Sequence, residues 1–406
     1  MRLAITCNGP GETAGWLRPL LRALYQARPD AQIAVFYVPD DYASGREPQY
    51  VRDQFPAANV FEPKAYVRFA LGGNPAGVPH AADAVLYLGG DLMHAARLAR
   101  RLRSPLMVYK FARKRYAVQT VRAYAVDELN AAQLSRAGIP DERIDRVGNL
   151  AIDGAFIEAQ LPLESGAPAD GILIMPGSRP HEVQHLVPFF FTAARAVRRE
   201  SPDLPIAFGI SPFTELEDVR RAVEAGGDPR FYAQRGSLIE DANGAALCTL
   251  DGMRFPIVRN ALSAARVARL AVTIPGTKVI ELAAIGTPVV SCTPLNAPEL
   301  AVMNGPLTYL DRVPFLGAAA KRAIATAYSR RFQYHTQPNI DAQAPIVREL
   351  HGTLTPGRVA RIALDCLADA QWRTQTAQAL ANLYREQVGA ADRMAADIIA
   401  LAARAG

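Results

Sequence analysis

The sequence has little cysteine and no long apolar run. Its four cysteines lie far apart among 406 residues and form no CxxC pair, which excludes a disulfide-rich scaffold and a cysteine-based zinc site. No stretch of about 18 apolar residues occurs, so a membrane-spanning helix is not predicted. The opening residues, MRLAITCNGPGETAG, reach glycine and proline too early for a signal peptide. A cytoplasmic protein is expected.

Composition and length indicate a globular chain with more than one core. Apolar residues make up 50% of the sequence, charged residues 21%, and the mean hydropathy is +0.01. These values are ordinary for a folded protein. A chain of 406 residues exceeds what one hydrophobic core usually supports, so two domains are expected.

Acidic residues are absent from one long stretch, 92–126, which contains nine arginines and lysines. Its positive charge exceeds the net charge of the whole chain, +6. Such a run is either a solvated helix face or a contact for an anionic partner, such as a phosphate-bearing substrate or a membrane surface. Few aromatic residues are interleaved with the basic ones, so nucleic acid is not expected as a partner.

Short β-branched runs alternate with amphipathic helical patterns along the chain. In the first half, strands are predicted at 3–7, 33–38, 84–88 and 106–109, with helices between them. The alternation starts again after the Pro- and Gly-rich stretch 161–171. This pattern predicts parallel strands with crossover helices. The expected fold class is therefore α/β, with two facing Rossmann-like doubly wound domains and a cleft between them.

Two loops of the first half follow a predicted strand and open a helix. In the first, GPGETAG, the carboxylate of Glu12 stands among glycines, where it can hold sugar hydroxyls or cap the helix. In the second, GGDLMH, Asp91 is placed as an N-cap and also where a base would stand. His94 can titrate near neutral pH, although a packed histidine is the more ordinary interpretation.

Two loops of the second half offer backbone amides to a phosphate. In MPGSRPHE, Arg179 adds a bidentate cation suited to a diphosphate, and Glu182 can cap the helix or accept a ribose hydroxyl. In PGTKVIE, Thr277 can donate to a phosphate oxygen and Glu281 can accept both hydroxyls of a ribose. The histidines have no metal-ligand spacing, so no metal site is predicted.

Four ordered segments resemble the lipid A disaccharide synthases, inverting glycosyltransferases with two facing Rossmann-like domains of the GT-B type. The segments are GETAG at 11–15, MPGSRPHEVQHLVPFF at 175–190, PGTKVIELAAIGTPVV at 275–290 and QPNIDAQAPIVRELHG at 337–352. The sequence departs from that family at GGDLMH, where the family has a DAPDFN-like segment. Either Asp91 or His94 is then expected to act as the base.

The resemblance implies a role for each domain. Residues 166–371 are expected to bind a UDP-sugar donor through a set of loop residues: Gly177, Ser178, Arg179, Glu182, Gly276, Thr277, Glu281 and Asn339. Residues 1–165, joined by helices at about 372–406, are expected to bind the acceptor and to carry the base. The acceptor contacts are Gly11, Gly15, Arg113, Lys114 and Arg115, and the catalytic candidates are Asp91, His94 and Glu12.

The function implied is metal-independent transfer of an N-acetylglucosamine-type sugar from UDP to a lipid-linked or phosphorylated acceptor. No cofactor beyond the UDP-sugar is expected, and the protein would work at the cytoplasmic membrane surface. Two alternatives stay open. A UDP-N-acetylglucosamine 2-epimerase shares the twin-domain fold and needs no acceptor. The GNL turn at 148–150 is similar to one in these epimerases and equally to one in the 3-deoxy-manno-octulosonate transferases. A relative that binds nucleotide sugars without turnover would explain the altered GGDLMH. The acceptor, the donor sugar and the oligomeric state, a homodimer included, are left open.

Overall fold

The computed structural model describes residues 1–40, 43–297 and 333–405. The chain divides into two compact units. Unit 1 consists of Met1–Ile157 together with Arg385–Gly406, and unit 2 consists of Glu158–Tyr384. The sequence predicts the corresponding boundaries at 165–166 and at about 372.

Unit 1 is built on a seven-stranded parallel sheet. Its strands are β1 (Arg2–Cys7), β2 (Gln32–Tyr37), β3 (Asn59–Phe61), β4 (Ala84–Tyr87), β5 (Leu106–Tyr109), β6 (Thr120–Ala125) and β7 (Ile144–Arg146). They lie in the order β3-β2-β1-β4-β5-β6-β7. The direction of winding reverses between β1 and β4, and ligands of such sheets bind beyond the carboxyl ends of the strands at this switch point.

Helices cover both faces of this sheet, which explains why its central strands are apolar on both sides. They are α1 (Pro10–Glu12), α2 (Arg18–Ala27), α3 (Glu47–Gln54), α4 (Pro63–Ala70), α5 (Leu92–Leu102), α6 (Lys114–Ala117), α7 (Glu128–Arg136) and α8 (Leu150–Ala159). Leu20 and Leu24 of α2 lie in one core, and Leu98 of α5 lies in the other.

Unit 2 contains an eight-stranded sheet in the order β10-β11-β12-β9-β8-β13-β14-β15. Its strands are β8 (Ile172–Met175), β9 (Ile206–Gly209), β10 (Ser237–Asp241), β11 (Gly244–Cys248), β12 (Arg254–Val258), β13 (Leu270–Thr273), β14 (Val289–Pro294) and β15 (Arg348–Gly352). The β10–β11 and β11–β12 pairs are antiparallel, and the other pairs are parallel. The parallel part has the doubly wound arrangement that the sequence predicts.

The helices of unit 2 pack on this sheet around an aromatic core that includes Phe189, Phe190 and Phe208. They are α9 (Pro180–Glu200), α10 (Leu216–Ala225), α11 (Ala261–Ala265), α12 (Thr277–Ala284), α13 (Gln337–Ala342), α14 (Pro356–Ala368) and α15 (Ala370–Tyr384). No helix within the described ranges is long and apolar enough to cross a bilayer.

The last helix, α16 (Ala390–Ala405), returns to unit 1. Met394 and Ile398 are buried in the same core as α2. Asp397 accepts hydrogen bonds from the Arg122 guanidinium at 2.8 and 2.6 Å and from the Tyr124 hydroxyl at 2.9 Å. These contacts join α16 to β6, so residues from both ends of the chain complete this core.

The predicted fold class is confirmed, because both units are α/β with mainly parallel, Rossmann-like sheets. Two details differ from the sequence prediction. Helix α9 begins at Pro180, inside the segment MPGSRPHE predicted as a phosphate loop, and β10–β12 form an antiparallel edge that the alternation pattern does not reveal.

Candidate functional site

The carboxyl ends of β1 and β4 form one candidate site, at the switch point of unit 1. Asn8 follows β1, and its Nδ2 donates to Asp40 Oδ2 at 2.6 Å. A Cβ atom on Gly89, which follows β4, would lie 2.2 Å from Asn8 Oδ1 and 3.2 Å from Glu12 Cγ. The loops after the two strands are therefore in close contact, and the predicted carboxylate Glu12 lies at this point. A larger residue at position 89 would displace the Asn8 side chain.

The helix that opens after β1 contains a π-helical turn at Thr13–Leu17. Turns of this kind often mark functional sites. Thr13 Oγ1 donates to the carbonyl of Gly9 at 2.8 Å and fixes the entry to the turn. Gly15 is buried, and a Cβ atom on Gly154 of α8 would lie 3.0 Å from its carbonyl oxygen. Gly15 is thus positioned by helix packing, while Gly11 lies half-buried in α1.

Asp91 caps α5 and stays accessible. Its Oδ1 accepts a hydrogen bond from the Met93 amide at 2.8 Å, and its Oδ2 lies 3.2 Å from Arg113 Nη2. The side chain of Asp91 is 41% exposed. The sequence leaves a capping role and a site role open for this residue, and the observed geometry is compatible with both at once.

His94, the other predicted base, is packed against a tyrosine. Its Nδ1 lies 2.9 Å from the Tyr66 hydroxyl, and the two rings meet edge to face at 5.1 Å. Burial lowers the pKa of His94 and raises the pKa of Tyr66 to about 12. The imidazole is therefore neutral at pH 7 and has one nitrogen engaged. Of the two predicted bases, Asp91 is the more accessible.

The predicted acceptor-binding cations Arg113, Lys114 and Arg115 lie on the connection between β5 and β6. All three are exposed. Arg113 pairs with Asp91, whereas the Arg115 guanidinium lies 5.5 Å from the ring centre of Tyr116. The structure therefore joins Glu12, Asp91 and Arg113 around the ends of β1 and β4 but gives Lys114 no described contact with them.

Sequence reasoning missed Lys110, which directly follows β5. Its φ of 66° is unusual for a non-glycine residue. Its Nζ lies 5.7 Å from the ring centres of both Trp16 and Phe111. Backbone outliers of this kind concentrate at functional sites. In the sequence, Lys110 could have been singled out because it directly follows a predicted strand. It was not, because it is one of nine basic residues in the stretch 92–126.

In unit 2, the loop after β8 is closed by its own glutamate. Glu182 Oε2 accepts hydrogen bonds from the amides of Ser178 at 2.9 Å and Arg179 at 3.0 Å. Gly177 has a φ of 106°, and a Cβ atom there would lie 2.4 Å from the same oxygen. Glu182 is therefore the helix cap. Two amides that the sequence predicts as a phosphate cradle are occupied, while the Arg179 side chain is 51% exposed.

The loop after β13 lies beside it, because β13 and β8 are neighbouring parallel strands. Gly276 is exposed, and α12 begins at Thr277. Glu281 is 3% exposed, and its Oε2 lies 2.6 Å from Lys278 Nζ. The same ammonium lies 3.8 Å from Glu158 Oε2. One carboxylate oxygen of Glu281, the residue predicted to bind a ribose, is thus paired with Lys278, whose side chain is 34% exposed.

Asn339 belongs to a separate network. It is 1% exposed, and its Nδ2 donates to the Val347 carbonyl at 2.9 Å and to Glu349 Oε1 at 2.8 Å. Its Oδ1 accepts from the Val347 amide at 2.7 Å. Both N–H groups of this side chain are used to join α13 to β15. The geometry favours a structural role over the predicted donor contact.

Among the residues that the structure describes, no group of three or more His, Cys, Asp or Glu side chains is arranged to hold a metal ion.

Comparison with known proteins gives full-length matches among solved structures. A Listeria monocytogenes protein assigned as a UDP-N-acetylglucosamine 2-epimerase is 15% identical, with a TM-score of 0.62 over 98% of this chain and 95% of that chain. S. aureus MnaA, solved with UDP, is 15% identical with a TM-score of 0.61 over 98% and 95%. The Neisseria meningitidis UDP-GlcNAc 2-epimerase, bound to UDP-GlcNAc, is 11% identical with a TM-score of 0.56 over 98% and 99%. No family model and no curated protein sequence matches.

These matches correct the resemblance to lipid A disaccharide synthases. Solved UDP-N-acetylglucosamine 2-epimerase structures correspond to this chain over nearly its whole length, so the predicted family, the glycosyltransferase class and the lipid or phosphorylated acceptor were wrong. The physical reason lies in the motifs. Gly177 is required by a positive φ, and Glu182 is required by exposed loop amides. Such residues indicate a strand-to-helix turn of this fold and do not distinguish one reaction from another.

Proposed function

We propose that the protein is a nucleotide-sugar isomerase that inverts C2 of UDP-N-acetylglucosamine. The observation that carries this proposal is the correspondence of both units with 2-epimerase structures, over 98% of this chain and 95% or more of theirs. One of these structures contains UDP and another contains UDP-GlcNAc. This is the 2-epimerase alternative of the sequence analysis, a reaction that needs no sugar acceptor.

Unit 2 is proposed to bind the UDP part. The exposed Arg179 guanidinium provides a fork suited to a diphosphate. Ser178 and Thr277 stand at the starts of α9 and α12, where the helix dipole favours anions. Because Glu182 occupies two of the loop amides, side chains rather than those amides would make the first contacts.

Unit 1 is proposed to supply the proton transfer. Inversion at C2 breaks the C2–H bond, and its electron pair forms a C1–C2 double bond as the C1–O bond to UDP breaks. When UDP adds back to C1, a proton returns to the opposite face of C2, so one group must take a proton and another must return one. Asp91 has an accessible carboxylate, and Glu12 lies at the same switch point. His94 is neutral and bonded to Tyr66, which makes it a supporting group for α5 rather than the first candidate for the base.

Proton exchange at C2 tests the proposal directly. Purified protein is incubated in D2O with UDP-N-acetylglucosamine alone, and proton NMR follows the C2 position and the appearance of the C2 epimer. We expect deuterium at C2 and a second anomeric signal, with no change when ADP-glucose replaces the substrate. Calorimetric titration with UDP, in the native protein and in Arg179→Ala, measures binding separately.

Binding of UDP without exchange would instead support a relative that holds nucleotide sugars without turnover. Absence of both binding and exchange would overturn the nucleotide-sugar proposal itself.

Contact with an anionic membrane surface remains a separate proposal. The β5–β6 connection exposes Lys114, Arg115 and the apolar Val118, which is 92% exposed. Basic and apolar side chains together suit anionic lipid headgroups. Co-sedimentation with phosphatidylglycerol vesicles, but not with phosphatidylcholine vesicles, is the expected result.

A further inference from the structure

The carboxylate of Asp91 is held at both oxygens by groups from different elements. Oδ1 accepts from the amide of Met93 in the first turn of α5, 2.8 Å away. Oδ2 faces the Arg113 guanidinium of the β5–β6 connection, 3.2 Å away. An N-cap needs only the first of these contacts. The second contact therefore calls for its own explanation.

The backbone that carries Asp91 is fixed as well. The amides of Leu88 and Gly89 both donate to the Thr6 carbonyl of β1, at 3.1 and 3.0 Å. The Tyr87 hydroxyl donates to the Gly90 carbonyl at 2.8 Å. Gly90 has a φ of 86°, and a Cβ atom there would lie 2.3 Å from a methyl carbon of Val38. With the turn fixed, the remaining freedom of Asp91 is the orientation of its carboxylate.

Stability gives little reason for the ion pair. The side chain of Arg113 is 64% exposed and that of Asp91 is 41% exposed. Exposed pairs of this kind add little to folding, because water and salt screen them and two long side chains lose freedom. A pair that orients an acid at a switch point is better explained by preorganisation of a site.

We propose that Arg113 is a positioning residue that fixes the Asp91 carboxylate for proton transfer at the substrate sugar. This inference rests on the proposed 2-epimerase function and reassigns a residue first expected to bind an acceptor. Arg113 acts through Asp91, so it should influence the rate of the chemical step more than the affinity for the substrate.

The test uses Arg113→Ala, Asp91→Asn, the double variant and the control Arg136→Ala. Arg136 is an exposed arginine of α7, and its Nε donates to the Ala132 carbonyl of the same helix at 3.2 Å. We expect Arg113→Ala to lower kcat for C2 exchange about 10- to 100-fold with KM unchanged, since small misplacements of a catalytic group have effects of this size. Millimolar guanidinium should restore part of the rate. Arg136→Ala should resemble the native protein.

In the Asp91→Asn background, loss of Arg113 should cause no further decrease in kcat, because the two residues act as a unit. Losses that multiply would overturn the proposal, as would a raised KM with unchanged kcat, which would make Arg113 a substrate ligand.

The amide of Met93 provides a readout that does not depend on turnover. Its nitrogen-15 and proton NMR signal should shift in Arg113→Ala and stay in place in Arg136→Ala, because it donates to the carboxylate that Arg113 orients. An unchanged Met93 signal in Arg113→Ala would overturn the positioning role. A shifted signal in a protein that never exchanges C2 would overturn the 2-epimerase proposal and leave the positioning contact in place.

Discussion

Two loops with similar sequence patterns place their carboxylates in opposite ways. In unit 1, Asp91 follows glycines at the end of β4, caps α5 with one oxygen and keeps its side chain 41% exposed. In unit 2, Glu182 follows glycine at the end of β8, returns to the amides of Ser178 and Arg179, and is 14% exposed. The loop after β4 leaves its carboxylate accessible, whereas the loop after β8 uses its carboxylate to bind its own backbone amides.

The difference follows from where the acid stands relative to the helix start. Asp91 is the N-cap residue itself, and its short side chain caps the first turn with one oxygen, so the other oxygen faces the exposed Arg113. Glu182 is the third residue of α9, and its longer side chain reaches back over the loop, as in a capping box. A carboxylate in such a loop is therefore either accessible, as in Asp91, or used to cap the helix, as in Glu182.

Replacing Asp91 with asparagine should produce the largest effect. Asparagine caps a helix as well as aspartate does, so α5 should remain stable while the proposed base is lost. We expect kcat for C2 exchange to fall about 10²- to 10⁴-fold, the usual contribution of a general base. The melting temperature should stay near that of the native protein.

A matched control for this variant is Asp127→Asn, which alters another N-cap aspartate. Asp127 accepts a hydrogen bond from the Asn130 amide at 2.7 Å and has no proposed role in catalysis. If Asp91→Asn and the native protein had equal turnover, Asp91 would be only a helix cap, like Asp127, and not the base.

Replacing Glu182 with alanine should mainly affect stability. Two loop amides lose a charged acceptor and turn to water instead, which should cost about 1 kcal/mol of unfolding free energy, the usual contribution of a helix cap. Urea unfolding of the native and variant proteins measures this loss. Glu217→Ala is the control, because Glu217 lies in the first turn of α10 and makes an exposed pair with Arg220. A loss no larger than that of the control would mean that the cap contributes nothing.

The smallest expected effect is a pH dependence from His94. Burial lowers its pKa below the ordinary value of 6.5 in the folded protein, so the unfolded chain takes up the proton first as the pH falls. The stability contribution of neutral His94 is therefore complete above about pH 6.5 and is lost as the pH falls below that value. NMR titration should place its midpoint below 6.5, and His94→Gln should flatten the dependence of unfolding free energy on pH. A midpoint above 6.5 would reverse this sign.

Local patterns predicted the elements that carry these loops. The strands at β4 and β8 are short apolar runs bounded by glycine, and α5 begins after an aspartate, so each was visible within about ten residues of sequence. The partners of the site were not visible. Tyr66 reaches His94, and Arg113 reaches Asp91, only after helices and strands pack, so spacing along the chain gives no signal for either contact.

Function was the least predictable property. Gly177 and Glu182, which helped to suggest a glycosyltransferase, are required by turn geometry, and 2-epimerase structures share the same fold. Glu281 shows the same limit. Its position one turn into α12 suggests a ribose ligand, yet the side chain is buried against Lys278, a contact that its sequence neighbours permit but do not require.

The return of α16 to unit 1 has a consequence for synthesis of the protein. Strands β1 to β7 leave the ribosome well before Met394 and Ile398, which fill the core beside α2. Unit 2 is one continuous stretch and can fold while unit 1 still lacks a helix. During translation, the first unit to emerge is therefore the last to finish. In that interval its uncovered apolar surface is a natural substrate for chaperones, so slow elongation between the two parts of unit 1 should lower the yield of folded protein.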